Sequence, residues 1–262
     1  MKVLYLDCEK GVAGDMLMSA LLDLFEEKDD FIKKMNQLLP NTEILMKRVE
    51  REDVSGIYLD VLIEGRSESC QNVSGENSVD WGALKSEIVT CLENSEKEDM
   101  IDLMMHLNVS KEVKLRAIDI YHELKMAESI VHGREMQYIH NSRLGSLDAV
   151  MDIVGICLLI EALAPDKILA TPLNLGNGTV KCGTRTFSVP APATALLVKD
   201  MPTYKSEIQG ELCTPTGAAA IKYLVDQFGE MPLGAHIKWG YGIGGKVYEV
   251  ATYTRACLVS MG

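Results

Sequence analysis

No C-x-x-C pair occurs among the seven cysteines of this sequence, and seven is an odd number without tight framework spacing. That excludes a disulfide scaffold and the common zinc ribbons. Several cysteines lie in apolar runs such as Gly155-Ile156-Cys157-Leu158-Leu159, where a thiol packs as a small hydrophobe. A reducing, cytoplasmic compartment is the expectation. No apolar run approaches the ~20 residues of a membrane span. Met1-Lys2-Val3-Leu4-Tyr5-Leu6-Asp7 passes directly into a strand-like pattern, so no signal peptide is expected. Basic residues are scarce: 26 Lys and Arg against 38 Asp and Glu give a net charge of −12. Such a surface repels phosphate backbones and anionic lipid, which argues against nucleic acid or membrane as partner. It also keeps a protein in solution, with no further meaning.

What is present is ordinary for a folded chain: 262 residues, 47% apolar and 24% charged. Val3–Leu6 has the profile of a buried strand ending at Asp7, and a helix is expected from Asp15 to Glu26. Ile44–Val49 and Ile57–Glu64 alternate in type and flank Asp53, Ser55 and Gly56, the pattern of a hairpin. The polar stretch 65–79 reads as a loop and the best boundary. Helical spacing follows to Gly133, broken near 94–99 and 108–110. An almost wholly apolar helix, capped by Ser146, runs to Leu163. Beyond Pro165 come a strand at Lys167–Ala170, a hairpin at Val180–Val189 and a short helix opening at Pro192. A strand is expected at Glu211–Cys213 and a helix over Pro215–Phe228. Three more strands are expected, at Ile237–Trp239, Lys246–Val250 and Arg255–Val259. The fold class is α+β, mixed sheets with packed helices. Two lobes, divided near 65–80 or near 165, and a single unit over 1–262 both fit.

Several features could carry chemistry. Gly11 and Gly14 stand in the loop between a strand that ends at Asp7 and a helix that opens with Asp15. Glycines let backbone N–H groups approach a ligand, and an aspartate at a strand's carboxyl end is placed to hold a metal or a proton. The bland alternative is a tight turn with Asp15 complementing the helix dipole. Asp148 and Asp152, four apart, share one face of an apolar helix, where two carboxylates repel unless a cation, an arginine or a proton intervenes. Thr214-Pro215-Thr216-Gly217 opens another helix with free N–H groups, either an anion cradle or an ordinary cap. His132 and His140 flank a loop ahead of the Asp148 helix, within reach of a shared metal; alone, each reads as an ordinary surface or core histidine. Gly240-Tyr241-Gly242-Ile243-Gly244-Gly245-Lys246 looks like a phosphate loop, but Val-Tyr-Glu-Val follows it instead of a helix.

Taken in order, these pieces resemble the LarC family of nickel-insertion proteins. The resemblance rests on Leu4–Asp7 with Gly11-Val12-Ala13-Gly14-Asp15-Met16, on Ala127-Glu128 with Val131-His132-Gly133, and on Gly145-Ser146-Leu147-Asp148-Ala149-Val150-Met151-Asp152-Ile153-Val154-Gly155. It continues through Pro172-Leu173, Gly176-Asn177-Gly178, Val189-Pro190-Ala191-Pro192-Ala193-Thr194, Glu211–Gly217 and Gly240–Gly244. It implies nickel transfer into a sulfur-bearing pyridinium mononucleotide at the expense of CTP, completing the nickel-pincer cofactor of lactate racemase-type enzymes. Asp7, Asp15 and Asp152 would be catalytic. Gly11, Gly14, Thr214, Thr216 and Gly217 would bind the cofactor, and His140, Asp148 and Asp152 the nickel. CTP, with magnesium or manganese, is expected to act through a separate C-terminal polypeptide, because family members continue into a CTP-associated portion. The expected partners are therefore the mononucleotide, that polypeptide and further copies of the chain in a homo-oligomer.

Two departures bear on the metal. The family's His-x-His-Glu is here His140-Asn141-Ser142-Arg143, and its His-Gly near Cys182 is Thr184-Arg185. Loss of a histidine and a glutamate weakens a divalent site, and Arg143 brings a charge that neutralises Asp148 and Asp152 or attracts an anion. A divergent member that binds an anionic small molecule or a protein without metallation is one alternative. A magnesium-dependent phosphate-handling hydrolase built on Asp7 and Asp15 is another.

Overall fold

The apolar stretch at the start of the chain has nowhere to go but inward, and it forms the middle of a sheet. A computed structural model describes residues 1–67, 100–133, 143–182 and 185–261. β1 (Lys2–Asp7) leads into α1 (Gly14–Leu24) and α2 (Lys28–Asn36). β2 (Thr42–Arg51) and β3 (Val54–Ile63) form an antiparallel hairpin, and β4 (Arg66–Ser67) folds back on β3. Helices α3 (Met100–His106), α4 (Lys111–His132) and α5 (Arg143–Leu163) follow. Next come β5 (Lys167–Ala170), β6 (Leu173–Asn174), β7 (Gly176–Asn177), β8 (Thr179–Cys182) and β9 (Arg185–Ser188). The remainder comprises α6 (Pro192–Leu197), β10 (Thr203–Tyr204), β11 (Gly210–Glu211), α7 (Pro215–Leu224), β12 (Gln227–Phe228), β13 (Ala235–Ile243) and β14 (Tyr253–Ser260).

One eight-stranded sheet runs β12-β5-β1-β14-β13-β3-β2, with β4 attached to β3. It is mixed: β5 lies parallel to β1 and β12, whereas β14 is antiparallel to both β1 and β13. The α+β class expected from the sequence is the one observed. Strands from before and after the 65–80 stretch share this sheet, although most of that stretch lies outside the described residues. Among the described residues, no helix is long and apolar enough to cross a membrane.

α1 is the hub. It packs on β13, β3 and β14 on one side and on α5 on the other. Helical spacing alone puts Leu17, Leu21, Leu24 and Phe25 on one apolar face. Enclosed on both sides, it is instead buried at every position from Met16 to Leu24, Ser19 and Asp23 included. Asp23 is tolerated because Arg48 of β2 pairs with it and the backbone N–H of Tyr241 donates to it at 3.1 Å. Helix and sheet approach so closely that β13 carries no side chain at the crossing. A Cβ on Gly242 would collide with the carbonyl oxygen of Met16 and stand 2.6 Å from the Ala20 nitrogen.

Other expectations needed adjustment. The hairpin turn is only Glu52-Asp53, since Arg51 already pairs with Val54. α5 opens at Arg143, so Ser146 is a buried helical residue and not its cap. α7 ends at Leu224, not Phe228. The Asp226 N–H donates to Ile168 O at 2.9 Å while its carboxylate accepts from the Ile168 N–H at 2.8 Å. Those bonds draw Gln227-Phe228 into the sheet beside β5. Lys246–Val250 is not a strand: β13 pairs with β14 directly at Ile243 and Tyr253, leaving 244–252 as a connection outside the ladder. α4 matches its pattern, with Ser110 accepting from the Val113 N–H at 3.1 Å and Gly133 closing it at a φ of 60°.

Gly242→Ala tests the crossing. Overpacking there should lower unfolding free energy by about 2–3 kcal/mol, read as a lower urea midpoint with an unchanged m-value. An unaffected midpoint would show that α1 and β13 can part without loss.

Candidate functional site

β1, in the middle of the sheet, ends at Asp7, and residues 8–13 make the turn into α1. Gly11 has a φ of +118°, a region that side chains strain to reach. The turn is sewn to distant segments. Val12 N–H donates to Leu212 O at 2.8 Å and Thr214 N–H donates to Val12 O at 3.1 Å, forming a parallel bridge between Val12 and Cys213. The Thr254 hydroxyl donates to Gly11 O at 2.9 Å.

Packing of the following residues brings together segments far apart in sequence. A Cβ on Gly14 would strike Asp152 Oδ2 and lie 2.8 Å from Thr216 Cγ2. One on Gly217 would lie 2.6 Å from Val12 O. The Gly11–Asp15 turn, Asp152 of α5 and the Thr214–Gly217 start of α7 are therefore neighbours in space. Thr214 caps α7 by accepting the Gly217 N–H at 3.3 Å, so this hydroxyl already has a structural task. Asp152 is buried, and Asp148, one turn earlier, is partly exposed.

Asp7 does not join that group through a free carboxylate. Arg255 of β14 donates to Asp7 Oδ2 through Nε at 3.1 Å and also through Nη2. Glu9 N–H donates to Asp7 Oδ1 at 3.0 Å. Both oxygens are engaged, and Arg255 is held in turn over the Trp239 ring at 4.6 Å. His140 lies outside the described residues. His132 is exposed at the end of α4. Among the described residues, no three of His, Cys, Asp and Glu gather as a metal cluster.

Beside the turn opens a cleft of about 450 Å³, its solvent-facing mouth included. Lys10, Gly11, Ala13, Asp15, Glu211, Thr214, Lys246 and Tyr248 contribute to its lining. Burial pushes the Asp15 carboxyl up to about 6, against the opposing pull of the Met16 N–H and of Lys246. Burial likewise raises Glu211, again opposed by Lys246. Tyr248 is pushed up to about 12, first by burial and then by the nearby charges of Glu211 and Asp15. Two carboxyl groups with a raised affinity for protons, two lysines and a tyrosine thus share one cleft.

Lys10, Glu211, Lys246 and Tyr248 escaped the sequence reading as site residues. The only signal was Gly244-Gly245-Lys246, discounted because no helix follows it. Its neighbours acquire their place from the bend between β13 and β14, which no local pattern announces.

The family model described as "Nickel insertion protein" matches residues 4–261. The chain belongs to the nickel insertion protein family. Three relatives each carry the name pyridinium-3,5-bisthiocarboxylic acid mononucleotide nickel insertion protein. The one from Geobacillus kaustophilus is 30% identical over 93% of this chain and 56% of its own length. That of Clostridium kluyveri is 31% identical over 98% of this chain and 62% of its own length. That of Thermotoga sp. strain RQ2 is 32% identical over 98% of this chain and 61% of its own length. This family chain therefore spans about three fifths of the curated relatives it matches. No solved structure matches it.

The Asp15 shift has a consequence for stability. A carboxyl that holds its proton more tightly folded than unfolded destabilises the fold as pH rises from the unfolded value near 3.8 to the folded value of about 6. Asp15→Asn should gain on the wild type through that window, by on the order of 2–3 kcal/mol, and hold a constant difference above pH 7. Denaturant unfolding at pH 4, 5, 6 and 7.5 measures it. A difference independent of pH would place the Asp15 carboxyl in an ordinary environment.

Proposed function

We propose that this chain carries the nickel-insertion step, acting on pyridinium-3,5-bisthiocarboxylic acid mononucleotide as its relatives are named to do. The observation that supports it is the meeting of the Gly11–Asp15 turn, Asp152 and the Thr214–Gly217 helix start beside a cleft with Asp15, Lys10 and Lys246. The substrate carries a phosphate and two thiocarboxylates, all anionic. Lys10 and Lys246 offset that charge within a chain of net charge −12, which would otherwise repel it.

Nickel enters this scheme as cargo. His140, Asp148 and Asp152 are the residues assigned to hold the ion, Asp15 and Asp152 face the reaction, and Asp7 supports them from the end of β1. Oxygen and imidazole donors hold nickel loosely enough to lose it to sulfur, so transfer runs downhill into the thiocarboxylates. Asp15, titrating near 6, accepts a proton or releases one as charge arrives. Asp7 acts through Arg255, keeping the end of β1 fixed. Gly11 and Gly14 bring backbone close to the ligand, and Thr214, Thr216 and Gly217 border it from α7. CTP and its magnesium or manganese are assigned to a separate C-terminal polypeptide, and the working unit is a homo-oligomer in the cytoplasm.

Calorimetric titration of the purified chain with nickel(II) tests this. Micromolar or tighter binding is expected, weakened about tenfold or more in Asp152→Ala. In a thermal-shift series with CTP, ATP and CMP, the chain alone should respond weakly. Absence of nickel binding together with an unaltered Asp152→Ala profile would leave a family fold that binds anions without metallation. A strong CTP response would place nucleotide binding in this chain.

A further inference from the structure

The connection between β13 and β14 bridges residues that pair directly, Ile243 with Tyr253, and so forms a free-standing excursion over the cleft. Residues 251 and 252 are buried at its root, whereas Val247 near its tip is 82% exposed. Two side-chain hydrogen bonds tie it down. Arg51 Nη1 donates to Lys246 O at 3.1 Å on the exposed surface. The Tyr248 hydroxyl donates to Glu211 O at 2.8 Å. The Tyr248 ring fits only because residue 210 is glycine: a Cβ there would stand 3.2 Å from Tyr248 Cδ1 and closer still to Cε1, and the φ is +130°. The carboxyl of Glu211 has one oxygen, Oε1, buried with no hydrogen-bond partner, although the Ala191 backbone N–H acts to favour its charged form. A carboxyl oxygen shut away without a donor is a destabilising arrangement, and it is relieved when the cover moves or a donor arrives.

We propose that residues 244–250 form a strap across the cleft, latched by Tyr248 on Gly210 and Glu211, and that lifting the strap presents the Glu211 carboxyl to the ligand. This rests on the reading of the cleft as the substrate site. The strap also carries Lys246, so its position sets how much positive charge the cleft holds. The charged groups facing it are Asp15 on α1, Lys10 ahead of α1 and Glu211 on β11. An anionic ligand that enters while the strap is lifted meets Glu211 and then draws Lys246 inward, closing the strap over itself; without ligand, Tyr248 and the Arg51 bond to Lys246 O keep it down. Tyr248 is thus a positioning residue, and Glu211 the group it covers.

Hydrogen exchange of the ligand-free protein reads the latch. Tyr248→Phe keeps the ring and loses the hydroxyl bond, so amides 245–250 should exchange about fivefold faster with the rest of the sheet unchanged. Tyr248→Ala removes the cover, and carbon-13 NMR of glutamate-labelled protein should then find Glu211 back in the ordinary carboxylate range, while Tyr248→Phe leaves it raised. Nicotinic acid mononucleotide, as a pyridinium mononucleotide probe, should slow exchange of the same amides in the wild type. Unchanged exchange in Tyr248→Phe overturns the latch, and a Glu211 that stays raised in a folded Tyr248→Ala overturns its role as cover. The exchange arm stands even if Tyr248→Ala fails to fold. Neither arm uses nickel or insertion activity, so a failure of nickel insertion would be seen separately.

Discussion

The close approach of α1 to its neighbours is the constraint on which the rest of the structure depends. The helix lies between the sheet and α5 with no room for a Cβ at Gly242 on one side or at Gly155 on the other, where one would collide with Met18 Sδ. Dense contact of this kind fixes the helix axis, because a displacement opens a void or forces a clash. The N-terminus of α1 is the first part of the candidate site. Fixing the axis therefore fixes Asp15 and, through Gly14, the distance to Asp152 and Thr216.

Charge is distributed around that framework in two different ways. At the end of β1, Asp7 and Arg255 saturate one another, and the pair is held by Trp239, an arrangement that ties together the ends of two central strands. Eight residues on, Asp15 sits in the cleft beside Glu211 from β11, both with proton affinity raised by burial against the partial opposition of Lys246 and backbone N–H groups. A paired carboxylate is electrostatically quiet, whereas a desolvated one responds to any cation or proton that comes near. The fold thus separates a structural aspartate from a responsive one over a span of eight residues. The segment that carries Lys246 and Tyr248 lies outside the β-ladder, so the most responsive part of the cleft borders its least constrained backbone.

Much of the fold was legible because its signals are local. Alternation in β2 and β3, the Ser110 and Gly133 caps of α4 and the Thr214-Pro215 start of α7 are each written within a few residues. The misreadings differ in cause. Phe228 looks helical until Asp226 bonds to Ile168, Ser146 looks like a cap until α5 begins earlier, and Lys246–Val250 alternates like a strand but has no ladder to join. A distant partner captures Gln227-Phe228, the absence of one leaves Lys246–Val250 outside the sheet, and at Ser146 the helix simply starts earlier than its capping signal suggests.

The same division runs through the site. By itself the sequence determined that glycines at 11 and 14, carboxylates at 148 and 152, and a Thr-Pro-Thr-Gly helix start would be present, since residue chemistry and helical spacing need no partner to be read. Tertiary structure alone decided which of them meet. It packed Gly14 on Asp152 and Thr216, tied Asp7 to Arg255, and admitted Glu211, Lys246 and Tyr248 to the cleft. The physical reason is that proximity and desolvation, which set what a carboxylate does, are properties of the packed chain and not of the residue.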